Sequence, residues 1–382
     1  MKKHTSYHPT EFIFGEGALE NLTEVVGRFG KKVLLVRTPV IPATAEIYAQ
    51  VEMLINASGA ELYCFDEVEP NPTTEVISNA SKIAIDANID LVVALGGGSS
   101  IDTAKCVAIE AAYKLPCWDF RFGSGVKPGP ETLPIIAIPT TSGTGSEATP
   151  VAVVSNEVEN YKSIIWSTHI FCKCAIIDPT LTYSMPRGLT AATGFDAFAH
   201  CFESYISSEA TPMASLYALE GMRLVANSLL KAVEEPTNAA ARAEMMVAGT
   251  LGGMSIAETG VTLPHGMGMA IGGFCHKVSH GASMAIVYPE IIARSAAEGG
   301  EKYARVARLF DPSLGEGAEY QLASIIDKLL EKIGLRVKLS DFDISATEIA
   351  GIAKASVEQP GWQVHPRIHT EEEMYDILLN CY

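Results

Sequence analysis

The stretch Gly194-Phe195-Asp196-Ala197-Phe198-Ala199-His200 places a carboxylate and an imidazole four residues apart. If it is helical, Asp196 and His200 project from one face and can take one side of a divalent cation. His265 and His280, each followed by glycine, could close the other side. Three nitrogens and one oxygen, with no thiolate, suit Fe(II) or Zn(II). Asp196 and His200 lie in an otherwise apolar stretch, and the run Met267 to Cys275 between the other two is also apolar. Polar groups in such surroundings need one another or a cation. His276 competes with His265 or His280, because it too lies four residues before His280. Cys201 points about 100° away from His200 and is expected to pack. His4, His8, His169, His365 and His369 lie in polar or terminal segments and are expected to be ordinary. Cys172-Lys173-Cys174 could pinch a metal, but a lone CxC is a weak signal.

A second constellation lies upstream. The apolar run Leu91–Leu95 reads as a buried strand and leads into Gly96-Gly97-Gly98-Ser99-Ser100-Ile101-Asp102, then a helix through about Tyr113. Glycines admit close approach to the backbone, and a helix N-terminus presents free N–H groups, so a pyrophosphate is the natural guest. Asp102 falls in the first turn, where a carboxylate also complements the helix dipole. A further strand, Leu133–Ile138, feeds the hydroxyl-rich loop Pro139-Thr140-Thr141-Ser142-Gly143-Thr144-Gly145-Ser146-Glu147. Two such loops on one sheet argue for a dinucleotide. No GxGxxG follows the first buried strand, which ends Val36-Arg37-Thr38-Pro39, so the expected fold is a variant of the doubly wound type.

These groups need elements to hold them. At 382 residues the chain is expected to form two domains. Strands are predicted at 12–14, 33–36, 61–65, 91–95 and 133–138, with helices at 18–29, 43–58, 73–88 and after the glycine turn. That alternation signals a parallel α/β sheet. After Asp178-Pro179 the pattern turns helical, with helices predicted at 190–207, 214–233, 238–256, 283–297, 320–333 and 346–357. The expected organisation is a Rossmann-like α/β dinucleotide domain over 1–186 and an all-α metal-binding domain over 187–382.

The formal charge of −17 argues against a nucleic-acid partner and an anionic membrane surface. No apolar run reaches the roughly 18 residues of a spanning helix. The N-terminal stretch lacks the apolar core of a signal peptide, and the eight cysteines form no CxxC pair. The expectation is a cytoplasmic protein with reduced thiols.

Taken together, Gly96-Gly97-Gly98-Ser99 with Asp102, Pro139 to Glu147, Asp178-Pro179, Thr193 to His200, Leu263-Pro264-His265-Gly266 and His280-Gly281 resemble the iron-containing (group III) alcohol dehydrogenases, over essentially the whole chain. The resemblance implies an N-terminal dinucleotide-binding domain, a C-terminal helical domain and a metal in the cleft between them. It implies Asp196, His200, His265 and His280 as ligands, Gly97, Gly98, Ser99 and Asp102 as the pyrophosphate turn, and Thr140, Thr141 and Thr144 as the second cofactor loop. Asn71 and Lys162 match further cofactor contacts.

The chain departs from the family pattern in three places. Thr38, beside Arg37, stands where many NAD-using members carry an aspartate. NAD and NADP both stay open, with NAD slightly favoured, since a nearby arginine can accept a 2′-phosphate. Met269 replaces a histidine that many relatives carry four residues after the third ligand. The His265–His280 interval is one residue longer, which keeps His276 in reserve. The implied activity is reversible, metal-assisted hydride transfer between NAD(P)H and a small aldehyde, in a homo-oligomer. The alternatives are a metal-dependent lyase or synthase of related fold, or a non-enzymatic nucleotide- or metal-binding protein.

Overall fold

The computed structural model describes residues 3–159, 161–275 and 277–382. It divides into two compact units, His8–Ser184 and Met185–Tyr382, the latter joined by residues 3–7.

In the first unit, strands and helices alternate: β1 Glu11–Phe14, α1 Leu22–Phe29, β2 Lys32–Arg37, α2 Ala45–Ala57, β3 Glu61–Phe65, α3 Thr74–Asp86, β4 Leu91–Gly96, α4 Gly98–Tyr113 and β5 Ile135–Pro139. A hairpin, β6 Val151–Asn156 and β7 Tyr161–Trp166, and the strand β8 Cys174–Ile177 complete it. Six strands form a parallel sheet in the order β1-β8-β5-β4-β2-β3. Its inner strands are unbroken apolar runs because both faces are covered. Strand order reverses between β2 and β4, and ligands of such sheets sit outside the carboxyl ends at that crevice. The glycine turn follows β4 and Thr38 follows β2, so both stand at the reversal. This explains why no fingerprint is needed after the first buried strand.

The β6–β7 hairpin has no counterpart among the predicted strands. Its residues alternate, as a ribbon with one covered face does: Ala152, Val154 and Ile165 are fully buried.

The second unit is helical: α5 Arg187–Ile206, α6 Pro212–Glu234, α7 Ala239–Thr259, α8 Leu263–Phe274, α9 His280–Arg294, α10 Ala296–Phe310, α11 Ala318–Ile333, α12 Ile349–Glu358 and α13 Glu371–Asn380. Helix α5 is buried on all sides from Phe195 to Ile206, including Asp196, His200 and Glu203, which recur at one-turn spacing along one face. Phe195, Phe198 and Phe202 on α5 pack with Tyr288 on α9. Helices α8, α10 and α13 are not in the predicted set. Four glycines in α8 lower its propensity, and packing overrides them. The helix predicted at 283–297 corresponds to α9, which ends at Arg294, so the prediction overruns by two residues into α10, which begins at Ala296 and breaks at Gly300 (φ 47°). Among the described residues, no helix is long and apolar enough to cross a membrane.

Candidate active site

Helix α5 carries Asp196 and His200 one turn apart, and both are buried. His265 sits in the first turn of α8. His280 opens α9, three residues earlier than predicted, because Ser279 caps the helix by accepting from the Ala282 amide. Gly281 then brings α9 close to α5: a Cβ there would lie 2.2 Å from the Ala192 carbonyl oxygen. The close approach places His280 beside Asp196.

Three imidazoles converge on one carboxylate oxygen. Asp196 Oδ1 lies 3.7 Å from His200 Nε2, 3.7 Å from His265 Nε2 and 3.6 Å from His280 Nε2. These separations are too long for hydrogen bonds. Bonds of about 2.0–2.2 Å at tetrahedral angles hold ligand atoms about 3.3–3.6 Å apart, and the 3.6–3.7 Å found is within about 0.1 Å of the upper end. Asp196 Oδ1 and His265 Nε2 are buried without a hydrogen-bond partner. Orphaned buried acceptors are costly, and a cation satisfies them. Ligand atoms of Asp196, His265 and His280 all lie within 4.8 Å of one another. The His280 side chain is 32% exposed, against 8% or less for the other three groups, so the cluster opens to solvent on its side. His276 lies outside the described residues. Cys172 and Cys174 join no metal-sized cluster among the described residues.

Charge favours a cation here. Burial works against ionised Asp196, yet His200, His280 and His265 outweigh it and hold its pKa well below the usual range. Burial likewise opposes charge on His265, but the Glu203 and Asp196 carboxylates raise its pKa to about 9.

Glu203 is the residue that spacing did not single out. It lies on α5, three residues after His200, and is fully buried. Its Oε1 is 2.5 Å from His265 Nδ1 and accepts from the Tyr288 hydroxyl at 2.6 Å. Its Oε2 accepts from the Thr262 amide at 2.6 Å and the Thr262 hydroxyl at 3.1 Å. Because a carboxylate only accepts, His265 keeps a proton on Nδ1; Nε2, which faces Asp196 and which the raised pKa favours protonated, is the nitrogen on which a metal would replace that proton. A charged residue inside the apolar stretch that carries Asp196 and His200 was the available signal.

Against the expectation from their polar segments, His365 and His369 are not ordinary surface groups. Both are buried, and His365 bonds to Thr262 Oγ1 and Ser295 Oγ. Local composition could not show this, since the burial comes from tertiary packing. Met269 lies one turn after His265 and is almost fully buried. Cys201 packs inside the helical core, as expected.

In the α/β unit the two predicted loops meet. A Cβ on Gly97 would lie 2.9 Å from Thr141 Oγ1, and one on Gly98 would lie 2.8 Å from Thr144 Cγ2. The Thr140 amide donates to the Gly96 carbonyl at 2.9 Å. The Asn71 amide reaches Ser99 Oγ, and Lys162 Nζ donates to Asn71 Oδ1 at 2.9 Å. Asp102 faces these loops from within: it accepts from Ser146 Oγ at 2.6 Å and the Val153 amide at 3.1 Å. It braces the hydroxyl loop. Lys105, fully buried one turn later, donates to the carbonyls of Ser146, Thr149 and Val151. Thr38 Oγ1 bonds Tyr48 Oη at 2.6 Å. Arg37 is buried, paired with Glu52 at 2.6 Å and stacked on the Tyr48 ring.

Comparison with known proteins decides the relationship. The pattern described as "Iron-containing alcohol dehydrogenase" matches residues 9–179, and that of the C-terminal part of the Fe-containing alcohol dehydrogenase family matches 190–382. The chain belongs to the iron-containing alcohol dehydrogenase family. It is 32% identical to long-chain-alcohol dehydrogenase 1 of Geobacillus thermodenitrificans, covering 90% of this chain and 88% of the relative. A variant of an archaeal halo-thermophilic alcohol dehydrogenase from a Red Sea brine pool superposes with a TM-score of 0.95. It is 31% identical, covering 100% of this chain and 99% of that one. The sulfoacetaldehyde reductase of Bifidobacterium kashiwanohense, solved with NAD+, has a TM-score of 0.88 at 26% identity, covering 100% and 99%. Iron-containing alcohol dehydrogenases are oxidoreductases that use NAD(P) and a divalent metal, and this chain is an enzyme of that family.

Proposed function

We propose that the chain catalyses reversible hydride transfer between NAD(P)H and a small aldehyde, with Asp196, His200, His265 and His280 as the ligands of one divalent metal, Fe(II) or Zn(II). The observation that carries the reading is the convergence of three imidazole nitrogens at 3.6–3.7 Å on Asp196 Oδ1. A bound cation supplies Lewis acidity toward the substrate oxygen. The side chains do the rest. Asp196 contributes the negative charge of the ligand set, and Glu203 holds the His265 ring in the tautomer that leaves Nε2 free. Burial of α5 keeps water from all sides of the cluster but that of His280. Gly97 and Gly98 leave the N-terminus of α4 open to a pyrophosphate. Thr140, Thr141, Thr144, Ser99, Asn71 and Lys162 offer polar groups around that turn, and Asp102 and Lys105 hold the loops in register.

NAD is the favoured dinucleotide. Arg37, which could have met a 2′-phosphate, is occupied by Glu52 and Tyr48, and a relative of the same fold is solved with NAD+.

The test is a panel of short aldehydes with NADH and NADPH, using metal-free protein reloaded with Fe(II) or Zn(II). The expected result is metal-dependent consumption of one NADH per aldehyde reduced. Full turnover without metal, or product formed with no net NADH consumed, would overturn the reading.

A further inference from the structure

Beyond the ligand set, and resting on its reading as a metal site, we propose that His365 is a positioning residue that fixes the His265 ring through Thr262 and Glu203. His365 follows the short helical turn Trp362–Val364, a hundred residues after His265, and is 2% exposed. The Ser208 amide anchors this segment by donating to the Val364 carbonyl at 2.9 Å. The ring spans two hydroxyls: Nδ1 lies 3.2 Å from Thr262 Oγ1, and Nε2 lies 3.1 Å from Ser295 Oγ.

The direction of each proton along this hydrogen-bonded series follows from Glu203. Its oxygens receive the Thr262 amide, the Thr262 hydroxyl, His265 Nδ1 and the Tyr288 hydroxyl. A carboxylate has about four lone-pair sites, so all are filled. The Thr262 hydroxyl has one proton, which goes to Glu203. Its oxygen must then accept from His365, which makes Nδ1 the protonated nitrogen. His365 Nε2 is therefore an acceptor, and the Ser295 hydroxyl donates to it. Burial keeps this ring neutral, pushing its pKa down to about 3.

Thr262 is the lever. It stands at the N-cap of α8, three residues before His265, yet its hydroxyl does not cap the helix. Threonine at that position ordinarily accepts from an amide of the first turn. Here the hydroxyl turns to Glu203 and is held there by the His365 N–H. Removing that donor frees the Thr262 rotamer, weakens the grip on Glu203 and lets the His265 ring turn. Partners that orient a ligating histidine typically change metal affinity about 10–100-fold when lost.

The experiment titrates metal-free, full-length protein with Co(II) against a chromophoric chelator, recording affinity and the ligand-field spectrum. His365→Leu fills the space without either hydrogen bond. His365→Asn restores an N–H at the place of Nδ1. The expected result is binding weakened about tenfold or more with shifted Co(II) bands in His365→Leu, and recovery of affinity and spectrum in His365→Asn. Thr262→Val should reproduce the leucine variant, and the double variant should be no worse than either alone. Wild-type affinity and spectrum in His365→Leu, or losses that add in the double variant, would overturn the proposal. If His365→Leu does not fold, Thr262→Val alone decides: wild-type binding there overturns the proposal. One Co(II) per wild-type chain, lost in His265→Ala, keeps the metal reading separate. Without that result the metal reading itself fails, whatever the His365 variants do.

Discussion

Glu203 Oε1 lies 2.5 Å from His265 Nδ1, inside the helical unit and away from water. Burial opposes the charge on Glu203, but His265, Tyr288 and the Thr262 amide lower its pKa and keep it ionised. The pair sets which nitrogen of His265 is available to the cluster. Glu203→Gln keeps the shape but loses the charge, and metal affinity is expected to fall about 10–100-fold. Chelator competition measures it; unchanged affinity would mean the ring needs no such partner.

Lys105 carries the same kind of weight in the α/β unit. Its ammonium satisfies the carbonyls of Ser146, Thr149 and Val151. Each buried acceptor left without a donor costs about 1–3 kcal/mol. The Ser146 carbonyl keeps the Thr149 amide as a donor, so Lys105→Met is expected to lower stability by at least about 2 kcal/mol, from the other two carbonyls, and to weaken NADH binding. Denaturant unfolding and NADH fluorescence titration check the two effects, and neither should be within error of wild type.

The pH dependence of stability should carry the signature of His365. Burial lowers its pKa from 6.5 to about 3 in the folded chain. As pH falls, the unfolded chain takes up this proton first. The stability contributed by the neutral ring is full above 6.5 and is lost progressively from there toward 3. Each proton of difference adds about 1.4 kcal/mol per pH unit to the slope. Unfolding free energies of metal-free wild type should therefore fall more steeply over that window than those of His365→Asn. Parallel slopes would show that His365 does not titrate as described.

Coenzyme choice should respond to Glu52. With Arg37 held by Glu52 at 2.6 Å, NADH is expected to be the better substrate. Glu52→Ala frees the guanidinium and uncovers it on the Glu52 side, and a solvent-screened contact with a 2′-phosphate there is worth about 1 kcal/mol, or roughly fivefold. The NADPH-to-NADH ratio of kcat/KM should rise by that factor. A ratio that stays put would place the discrimination elsewhere.

The α/β and helical halves were legible because their signals are periodic. Buried parallel strands read as unbroken apolar runs, and the turn after Leu91–Gly96 announced itself by its glycines. Asp196 and His200 stood out as polar groups one helical turn apart in an apolar stretch. That they meet His265 and His280 on one oxygen depends on the close approach of α9 to α5 at Gly281, which no local pattern encodes. Glu203 was visible as a third charge in the same stretch, but its pairing with His265 is a tertiary fact. His365 looked like part of a polar tail and is buried. Lys105 looked like one charge on a helix and is enclosed by carbonyls of the loop and hairpin that follow β5. Helix α8 was hidden by its glycines, because propensity yields to packing.

The most direct test of the proposed metal centre is the metal content of the reloaded protein, compared between wild type and Asp196→Asn. Asparagine keeps the volume and removes the charge on which the three imidazoles converge. The expected result is about one Fe(II) or Zn(II) per wild-type chain and close to none in the variant, with aldehyde reduction lost in parallel. A variant that holds wild-type metal at wild-type affinity would contradict the assignment of Asp196 and its three histidines as the metal centre.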